Sequence, residues 1–451
     1  MSRAPGRHAA AITVLAFLTL LKIGTWTGLE ICGVTRPFVG DNATALYIPI
    51  ARRLLVEHRF NGPDSRSDSK VPPAYPLLIA AAIAVAPHSF VKLVPPVQML
   101  MDLGTALVLY WSAYRIGLPR IGILAACVWL LYPPAIVIST WITAETAFTA
   151  LFTVGVAILA LSFESGSTWF ALVAGLAMGA ATMFRGTPLL LPVALLPAAF
   201  RAGALRRWAA FSAMMAIVVV PWTIRNLMVL DDFIPVAVGA GPVILQGSDE
   251  RFFTGDGKAA FYPAILQAAA EAGIARPTID RESVRDQRLG SVGLWVQRKR
   301  FALRPLSIVP FFAHKLARVW YGTESGNFRQ QMALGLCSLL ILPAGLWQLW
   351  KWRVSHDGMC YVLLTALGYI VLMHVATLPE ARYTFPIMPV LILGACKAYD
   401  GLYRRRVDRR NFNPLSESRL ERSDTLSGTR MSALDPVRQV RDSIDNAIDS
   451  L

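Results

Sequence analysis

Residues Pro73–Ala86 read PAYPLLIAAAIAVA, an unbroken apolar run of roughly 14 residues. Whether this run crosses a membrane decides the topology of the chain. A spanning helix needs roughly 20 apolar residues, whereas runs of about 10–14 suit re-entrant or interfacial segments. Charge resolves the ambiguity. Basic residues cluster at Arg3/Arg7/His8, Arg115/Arg120, Arg201/Arg206/Arg207, Lys351/Arg353 and Arg404/Arg405/Arg406. Lys and Arg are in excess at cytoplasmic segment ends. These clusters alternate consistently only if Pro73–Ala86 stays on one side. Were it to cross, Arg115/Arg120 and every later cluster would lie outside.

The composition agrees with a membrane chain. Of 451 residues, 55% are hydrophobic and 16% charged, and the mean hydropathy is +0.47. A soluble domain needs more charge than this. Segments of spanning character run Ala11–Ile31, Val91–Tyr114, Ile121–Ile138, Ile142–Phe163, Trp169–Phe184, Thr187–Phe200, Trp208–Ile224, Met332–Trp350, Cys360–Thr377 and Thr384–Tyr403. The pattern predicts an all-α polytopic membrane protein with about 10 transmembrane helices and both termini cytoplasmic. Its expected place is the inner (plasma) membrane, with helical juxtamembrane elements on the non-cytoplasmic face. Ala11–Ile31 is longer than a signal-peptide core and lacks a convincing cleavage site, so it reads as a retained helix.

The net charge of +15 does not point to nucleic acid, because much of the excess lies at segment ends and in the tail, where it sets topology. Cys32, Cys127, Cys337, Cys360 and Cys396 show no CxxC spacing, so neither a disulfide framework nor a zinc site is read. Residues 1–403 form one transmembrane unit with outer elements 32–90 and 225–331. Residues 404–451 form a basic cytoplasmic tail, polar and poor in aromatics, that is expected to be disordered. In the long outer region, Thr278 and Asp280 are N-cap types before a helix running from Glu282 to Arg300. Phe301–Tyr321 mixes Phe311, Phe312, Trp320 and Tyr321 with Arg304, His314, Lys315 and Arg318, the composition of an interfacial helix.

Five charged or aromatic clusters fall on the outer side of this topology. They are Gly40-Asp41 with Tyr47, in a stretch reaching Arg52 and Arg53; Lys70-Val71-Pro72-Pro73-Ala74-Tyr75-Pro76; Thr143-Ala144-Glu145; Pro221-Trp222-Thr223-Ile224-Arg225-Asn226; and Pro379-Glu380-Ala381-Arg382-Tyr383-Thr384-Phe385-Pro386. Arg185 joins them, and Arg185, Arg225 and Arg382 all run against the positive-inside tendency. Two carboxylates with several cations at this interface suit a lipid-linked sugar phosphate. The leaving phosphate needs positive charge as its bond to the sugar breaks. The acceptor needs a carboxylate base within hydrogen-bond reach. Arg suits phosphate by its fork, Lys as a point charge.

Each residue also has a plainer reading. Asp41 fits a turn carboxylate, and Glu145 fits a first-turn residue complementing the helix dipole. Arg225 and Arg382 fit snorkelling cations. Lys70 fits a solvated loop cation, and Arg52 and Arg53 contacts to lipid head groups. Gly239-Ala240-Gly241-Pro242 reads as a turn before it reads as a phosphate loop. His374, within an apolar segment, reads as a hydrogen-bonded core residue.

Taken together, the clusters resemble the GT-C superfamily of polytopic glycosyltransferases that use polyprenyl-phosphate sugars. The branch they are most similar to is the bacterial family of protein O-mannosyltransferase-like and lipid A aminoarabinose transferase-like proteins. The resemblance covers Ala11 to about Tyr403. Asp41, Tyr47 and Ala51 match an outer-loop Asp followed by Tyr and an Ala-rich amphipathic helix. Lys70, Pro72, Pro73, Tyr75 and Pro76 match a basic residue before Pro-Pro-x-Tyr-Pro. Thr143-Ala144-Glu145-Thr146 matches a Thr-x-Glu element without its frequent proline. Pro221–Asn226 followed by Phe233-Ile234-Pro235-Val236 is the strongest local match, whereas Gly239-Ala240-Gly241 and Gly247-Ser248 depart from the family's Gly-Gly and Gly-Asn. Glu380-Ala381-Arg382-Tyr383 with Pro386 resembles the segment that meets the carrier phosphate.

The resemblance implies a hexosyl- or pentosyltransferase acting by inverting displacement, with Asp41 as the catalytic base and Glu145 as a second catalytic carboxylate. It implies Lys70, Arg382, Tyr383 and Arg225 at the donor phosphate, and substrate contacts from Tyr47, Tyr75, Glu380 and Arg185. Implied partners are a polyprenyl-phosphate-linked sugar, a lipid, polysaccharide or protein acceptor, and membrane lipids, with no nucleic acid. No cofactor is required by the pattern; some relatives hold a divalent cation between such carboxylates and others do not. The alternative is a transporter or flippase of a lipid-linked precursor. It would carry more charge within the spans and internal two-fold repeats, and the ionisable clusters here gather at one face.

Overall fold

The computed structural model describes residues 5–40, 42–62, 69–253, 264, 266–274 and 282–411. The expected disorder of the tail and the N-cap types Thr278 and Asp280 lie outside the described residues beyond 411 and between 275 and 281, as does Asp41. Among the described residues the chain is helical, and an isolated bridge pairs Phe38 with Trp141.

The first helix, α1, spans Pro5–Ile31. A π-helical turn, Ala43–Tyr47, leads into α2, Ile48–Glu57. Then comes α3, Ala74–Val85. At about 1.5 Å per residue its 12 residues reach only about 18 Å, short of a hydrocarbon core of about 30 Å. It packs instead against the outer end of the bundle, in a cluster of Tyr75, Ile79, Ala51, Phe90, Val94 and Ile142.

The bundle continues with α4, Phe90–Arg115; α5, Pro119–Leu131; α6, Pro133–Ile138; α7, Glu145–Ser165; and α8, Thr168–Phe184. A 3-10 turn at Thr187–Leu190 precedes α9, Leu191–Arg201, and α10 spans Leu205–Leu230. The outer region contains α11, Ala240–Gln246; α12, Glu282–Leu303; and α13, Ile308–Arg318. The last three are α14, Phe328–Ser355; α15, Asp357–Ala376; and α16, Met388–Asn411. Seven helices are long and apolar enough to cross a membrane, namely α1, α4, α7, α10, α14, α15 and the Ala381–Val407 segment containing α16. The shorter apolar helices α5, α8 and Thr187–Arg201 fall on three further expected spans.

Two expected segments are broken, for local reasons. Ile121–Ile138 is not one helix: Tyr132 is extended, with ψ at 117°, between α5 and α6. Pro133 and Pro134 follow it, and proline drives the residue before it out of the helical region. Phe301–Tyr321 is broken at Arg304-Pro305, and α13 starts only at Ile308. The polarity of α13 is also the reverse of expectation. Lys315 and Arg318 are buried with Phe311, while Val309 and Leu316 are exposed. An apolar outer face suits lipid contact, and the buried cations are held by backbone carbonyls.

The core runs through α4, α5, α7, α8, α10, α14, α15 and α16, centred on residues such as Trp129, Phe152, Phe211, Leu363 and Leu391. Lipid offers no hydrophobic drive between helices, so small residues that let backbones approach carry the packing. Gly175 is such a point: a Cβ there would lie 2.3 Å from the Phe211 carbonyl oxygen of α10. Polar contacts join α1 to α4 at three levels. They are His8 Nδ1 with the Tyr110 hydroxyl at 3.0 Å, Lys22 with Asp102 at 2.6 Å, and Glu30 with Lys92 at 2.7 Å. The middle pair is fully enclosed. It is an ionisable pair within the spans, apart from the clusters that gather at one face.

Candidate functional site

One end of the bundle holds a cage built around the Tyr383 ring. Glu145 opens α7, where an acidic side chain complements the helix dipole, so the plainer expectation for it holds as far as it goes. The side chain does more than that. It is 8% exposed, one oxygen takes a hydrogen bond from the Thr143 hydroxyl, and the other pairs with Arg185 Nη1 at 3.0 Å. Arg185 follows α8 directly, in extended conformation. Its guanidinium carbon lies 4.4 Å from the Tyr383 ring centroid, and that of Arg382 lies 5.0 Å from it. His374, in the last turn of α15, stacks on the same ring at 4.6 Å.

Arg382 is held in turn. Its Nε is 2.7 Å from Glu380, an Nη is 3.5 Å from Glu324, and it donates to the Tyr383 hydroxyl at 3.2 Å. Burial pushes the Glu380 carboxyl above its ordinary range, and the pull of Arg382 does not cancel this. The Glu380–Thr384 segment is anchored from α13. Ala381 donates its backbone N–H to the Gly322 carbonyl at 2.9 Å, and the Thr384 hydroxyl donates to the Val319 carbonyl at 2.9 Å.

Tyr47 and Tyr75 flank the cage, in edge contact at 4.9 Å. Burial pushes the Tyr47 hydroxyl up to about 12, with the negative charge of Glu145 adding to the effect. Burial likewise raises Tyr75. The Tyr75 hydroxyl donates to the Gln98 side-chain oxygen at 3.1 Å. The Gln98 amide then donates to the carbonyls of Ser139 at 3.0 Å and Trp141 at 2.7 Å. Gln98 thereby fixes the loop that delivers Thr143 and Glu145. The isolated bridge ties that loop to the one before Asp41: Phe38 donates to Thr140 at 3.4 Å and accepts from Ile142 at 2.9 Å. Asp41 itself is outside the described residues.

Arg225 and Lys70 belong to a neighbouring cluster. Arg225 donates to the Phe60 carbonyl at 3.1 Å and lies 4.8 Å from the Trp222 ring centroid. The Pro221–Asn226 motif clamps the loop after α10. Trp222 donates to Val236, Thr223 to Pro235 and Asn226 to Ile234, at 2.8, 2.8 and 2.9 Å. Lys70 adjoins Ser69, whose carbonyl accepts from the Val238 N–H at 2.8 Å. Tyr47 and Trp222 pack against a shared apolar group of Ile50, Phe60 and Val71, which joins this cluster to the cage.

The loop at Gly239–Gly241 is a helix start capped by a carboxylate. Asp286 accepts from the N–H groups of Gly239 and Gly241 at 2.9 and 3.0 Å, so these donors face protein. Among the described residues no group of three or more His, Cys, Asp or Glu side chains forms that could hold a metal ion.

Sequence reasoning thus named Glu145, Arg185, Glu380, Arg382 and Tyr383, which the fold brings together. It missed Glu324 and Gln98 and read His374 only as a hydrogen-bonded core residue. His374 is buried, but its Nδ1 has no hydrogen-bond partner among the described residues. The available signals were an amide at mid-helix and a histidine in an apolar span facing a charged loop.

No family model matches the chain, and no curated protein matches it by sequence. Its structure is similar to that of the oligosaccharyltransferase AglB from Archaeoglobus fulgidus, in complex with an inhibitory peptide and a dolichol-phosphate. The TM-score is 0.55 at 14% identity, over 97% of this chain and 54% of that one. The Archaeoglobus fulgidus oligosaccharyltransferase tethered by a disulfide to an acceptor peptide containing the NVT sequon gives a TM-score of 0.55 at 12% identity, over 91% and 51% of the two chains. ArnT from Cupriavidus metallidurans bound to undecaprenyl phosphate gives 0.40 at 15% identity, over 87% and 78%. This chain spans about half the length of the oligosaccharyltransferases it matches. The likeness to AglB is one of fold, and the seven long apolar helices among the described residues make this a multi-pass membrane protein.

Proposed function

We propose that this chain is a GT-C membrane glycosyltransferase that moves a hexosyl or pentosyl group from a polyprenyl-phosphate donor to an acceptor on the non-cytoplasmic face. The observation that carries the reading is the cage: two guanidinium groups on one tyrosine ring, 4.4 and 5.0 Å from its centroid, beside the buried carboxylate Glu145. In this scheme Asp41 takes the proton of the acceptor hydroxyl or amine. The freed lone pair attacks the anomeric carbon from the face opposite the phosphate. The bond from that carbon to the phosphate oxygen breaks, and polyprenyl phosphate leaves with inversion at the sugar. Arg382 and Lys70 stabilise the charge that gathers on the leaving phosphate, with Arg225 bracing the adjoining loop from Phe60. Glu145 holds Arg185 over Tyr383, and Tyr47 and Tyr75 line the acceptor side. The acceptor is a lipid, polysaccharide or protein of the envelope. The protein lies in the inner membrane with both termini cytoplasmic, 1–403 forming the working unit and 404–451 a tail.

One observation favours a second reading, a transporter of lipid-linked precursor. The Lys22–Asp102 pair is buried within the spans, and intramembrane charges mark transport pathways. Purified protein in liposomes with a labelled lipid-linked sugar separates the two. A transferase breaks the sugar–phosphate bond and releases polyprenyl phosphate; a transporter moves intact lipid across the bilayer. Asp41→Asn keeps shape but accepts no proton at neutral pH. Loss of a general base costs roughly 10²–10⁴-fold in rate, so this variant should bind donor and fail to turn it over. Asp41→Asn retaining most of the activity sinks the base assignment, and Glu145 takes its place.

A further inference from the structure

His374 has no part in that scheme, yet it stands inside the cage. Its imidazole lies on the Tyr383 ring with centroids 4.6 Å apart and planes 19° from parallel. The Arg185 and Arg382 guanidinium carbons approach the same ring at 4.4 and 5.0 Å. The side chain is only 7% exposed, and its Nδ1 has no hydrogen-bond partner among the described residues. A buried polar atom without a partner destabilises a fold. A phenyl ring at this position would keep the stacking and avoid that cost. The imidazole therefore holds a hydrogen-bonding atom in reserve beside two cations, which is the arrangement of a ligand contact.

We propose that His374 is a donor-binding residue whose Nδ1–H hydrogen-bonds an oxygen of the lipid-linked phosphate lodged between Arg185 and Arg382. This rests on the transferase reading above. Phosphate is favoured over a sugar hydroxyl by the neighbours. Both arginines approach the ring on which His374 stacks, so the positive charge that draws an anion lies next to the imidazole. Each arginine already has a carboxylate partner. A donor without a carboxylate on it adds a contact that Glu145 and Glu380 do not compete for.

The test uses full-length protein in nanodiscs, with undecaprenyl phosphate as a probe that carries no sugar. Wild type is compared with His374→Phe, His374→Asn and His374→Gln, and thermal unfolding is followed alongside. Asn places its amide nitrogen near the position of Nδ1, Gln near that of Nε2. His374→Phe should bind roughly ten-fold weaker, the loss expected for one hydrogen bond to a charged oxygen, with unfolding little changed. Asn should restore most of the affinity and Gln should not. Wild-type affinity in His374→Phe overturns the proposal, as does equal rescue by Asn and Gln. A loss seen only with a sugar-loaded donor also overturns it, since the contact would then be to sugar. If His374→Phe does not fold, tighter binding by Asn than by Gln still supports the proposal, and equal binding defeats it. Wild type that fails to bind the probe sinks the transferase reading itself, a result distinct from the others.

Discussion

Arg382 has Glu380 at 2.7 Å and Glu324 at 3.5 Å, so a phosphate that reaches it shares the guanidinium with carboxylates already in place. The side chain therefore does not match a cation snorkelling to lipid. Arg382→Lys keeps the charge but loses the fork. It should weaken carrier-phosphate binding by a few-fold, and Arg382→Ala by roughly ten-fold or more, as for a charged hydrogen bond. Acceptor affinity should stay unchanged. Near wild-type phosphate binding in both variants, measured on purified protein, removes Arg382 from the donor site. At this scale the sequence pointed to Arg185 and Arg382 as arginines that run against the positive-inside tendency, and to Glu145 as a carboxylate beside an apolar segment, and the fold brings the three together. The sequence did not show Glu324, because nothing local distinguishes a glutamate that acquires its partner only through tertiary contact, and the mid-helix amide of Gln98 marked a polar contact without naming its partner. Gln98 reaches carbonyls more than forty positions away.

The element that most changed on folding is α13. Its composition reads as an interfacial helix, and Lys315 points inward and donates to the carbonyls of Gly247 at 2.9 Å, Thr377 at 2.5 Å and Ala376 at 3.4 Å. These are the ends of α11 and α15, and Gly247 allows the approach: a Cβ there would lie 1.8 Å from the Thr377 oxygen. Amphipathic periodicity tells which residues share a face, not which face turns inward when a loop offers carbonyls. Burial lowers the Lys315 ammonium from 10.5 to about 7. The unfolded chain then binds more protons between those two values, so stability rises as pH climbs through 7 toward 10.5. Melting temperature in detergent should rise from pH 7 to pH 9 more steeply in wild type than in Lys315→Met. Identical slopes would mean that Lys315 stays protonated in the fold.

For the molecule as a whole, the topology rests on α3 staying at one side. Its 12 residues and its packing against α2 and the start of α4 agree with the reading of Pro73–Ala86 from length and charge. Single cysteines at Asn42, Pro119 and Ser325 in a cysteine-free background should separate cleanly. Asn42 and Ser325 should react with an impermeant thiol reagent in intact cells, and Pro119 should not. Labelling at Pro119 with protection at Ser325 means that α3 crosses. The order of spans was legible because hydropathy and basic flanks are local properties. The breaks at Tyr132 and Arg304 were marked only by the prolines that follow. The contacts of α1 were not legible at all, and they bear on reach. His8, Lys22 and Glu30 engage α4 at three successive depths, like teeth of a rack against its pinion. A slip by one helical turn would raise or lower α1 by about 5.4 Å and strand all three. The segment that follows α1 runs through Phe38 to Asp41, while Glu145 is set by the bundle. The teeth therefore act as a height gauge. They fix the level at which the segment leading to Asp41 leaves the bundle, and in the proposed scheme that level sets which acceptors, tall or shallow, its carboxylate can serve.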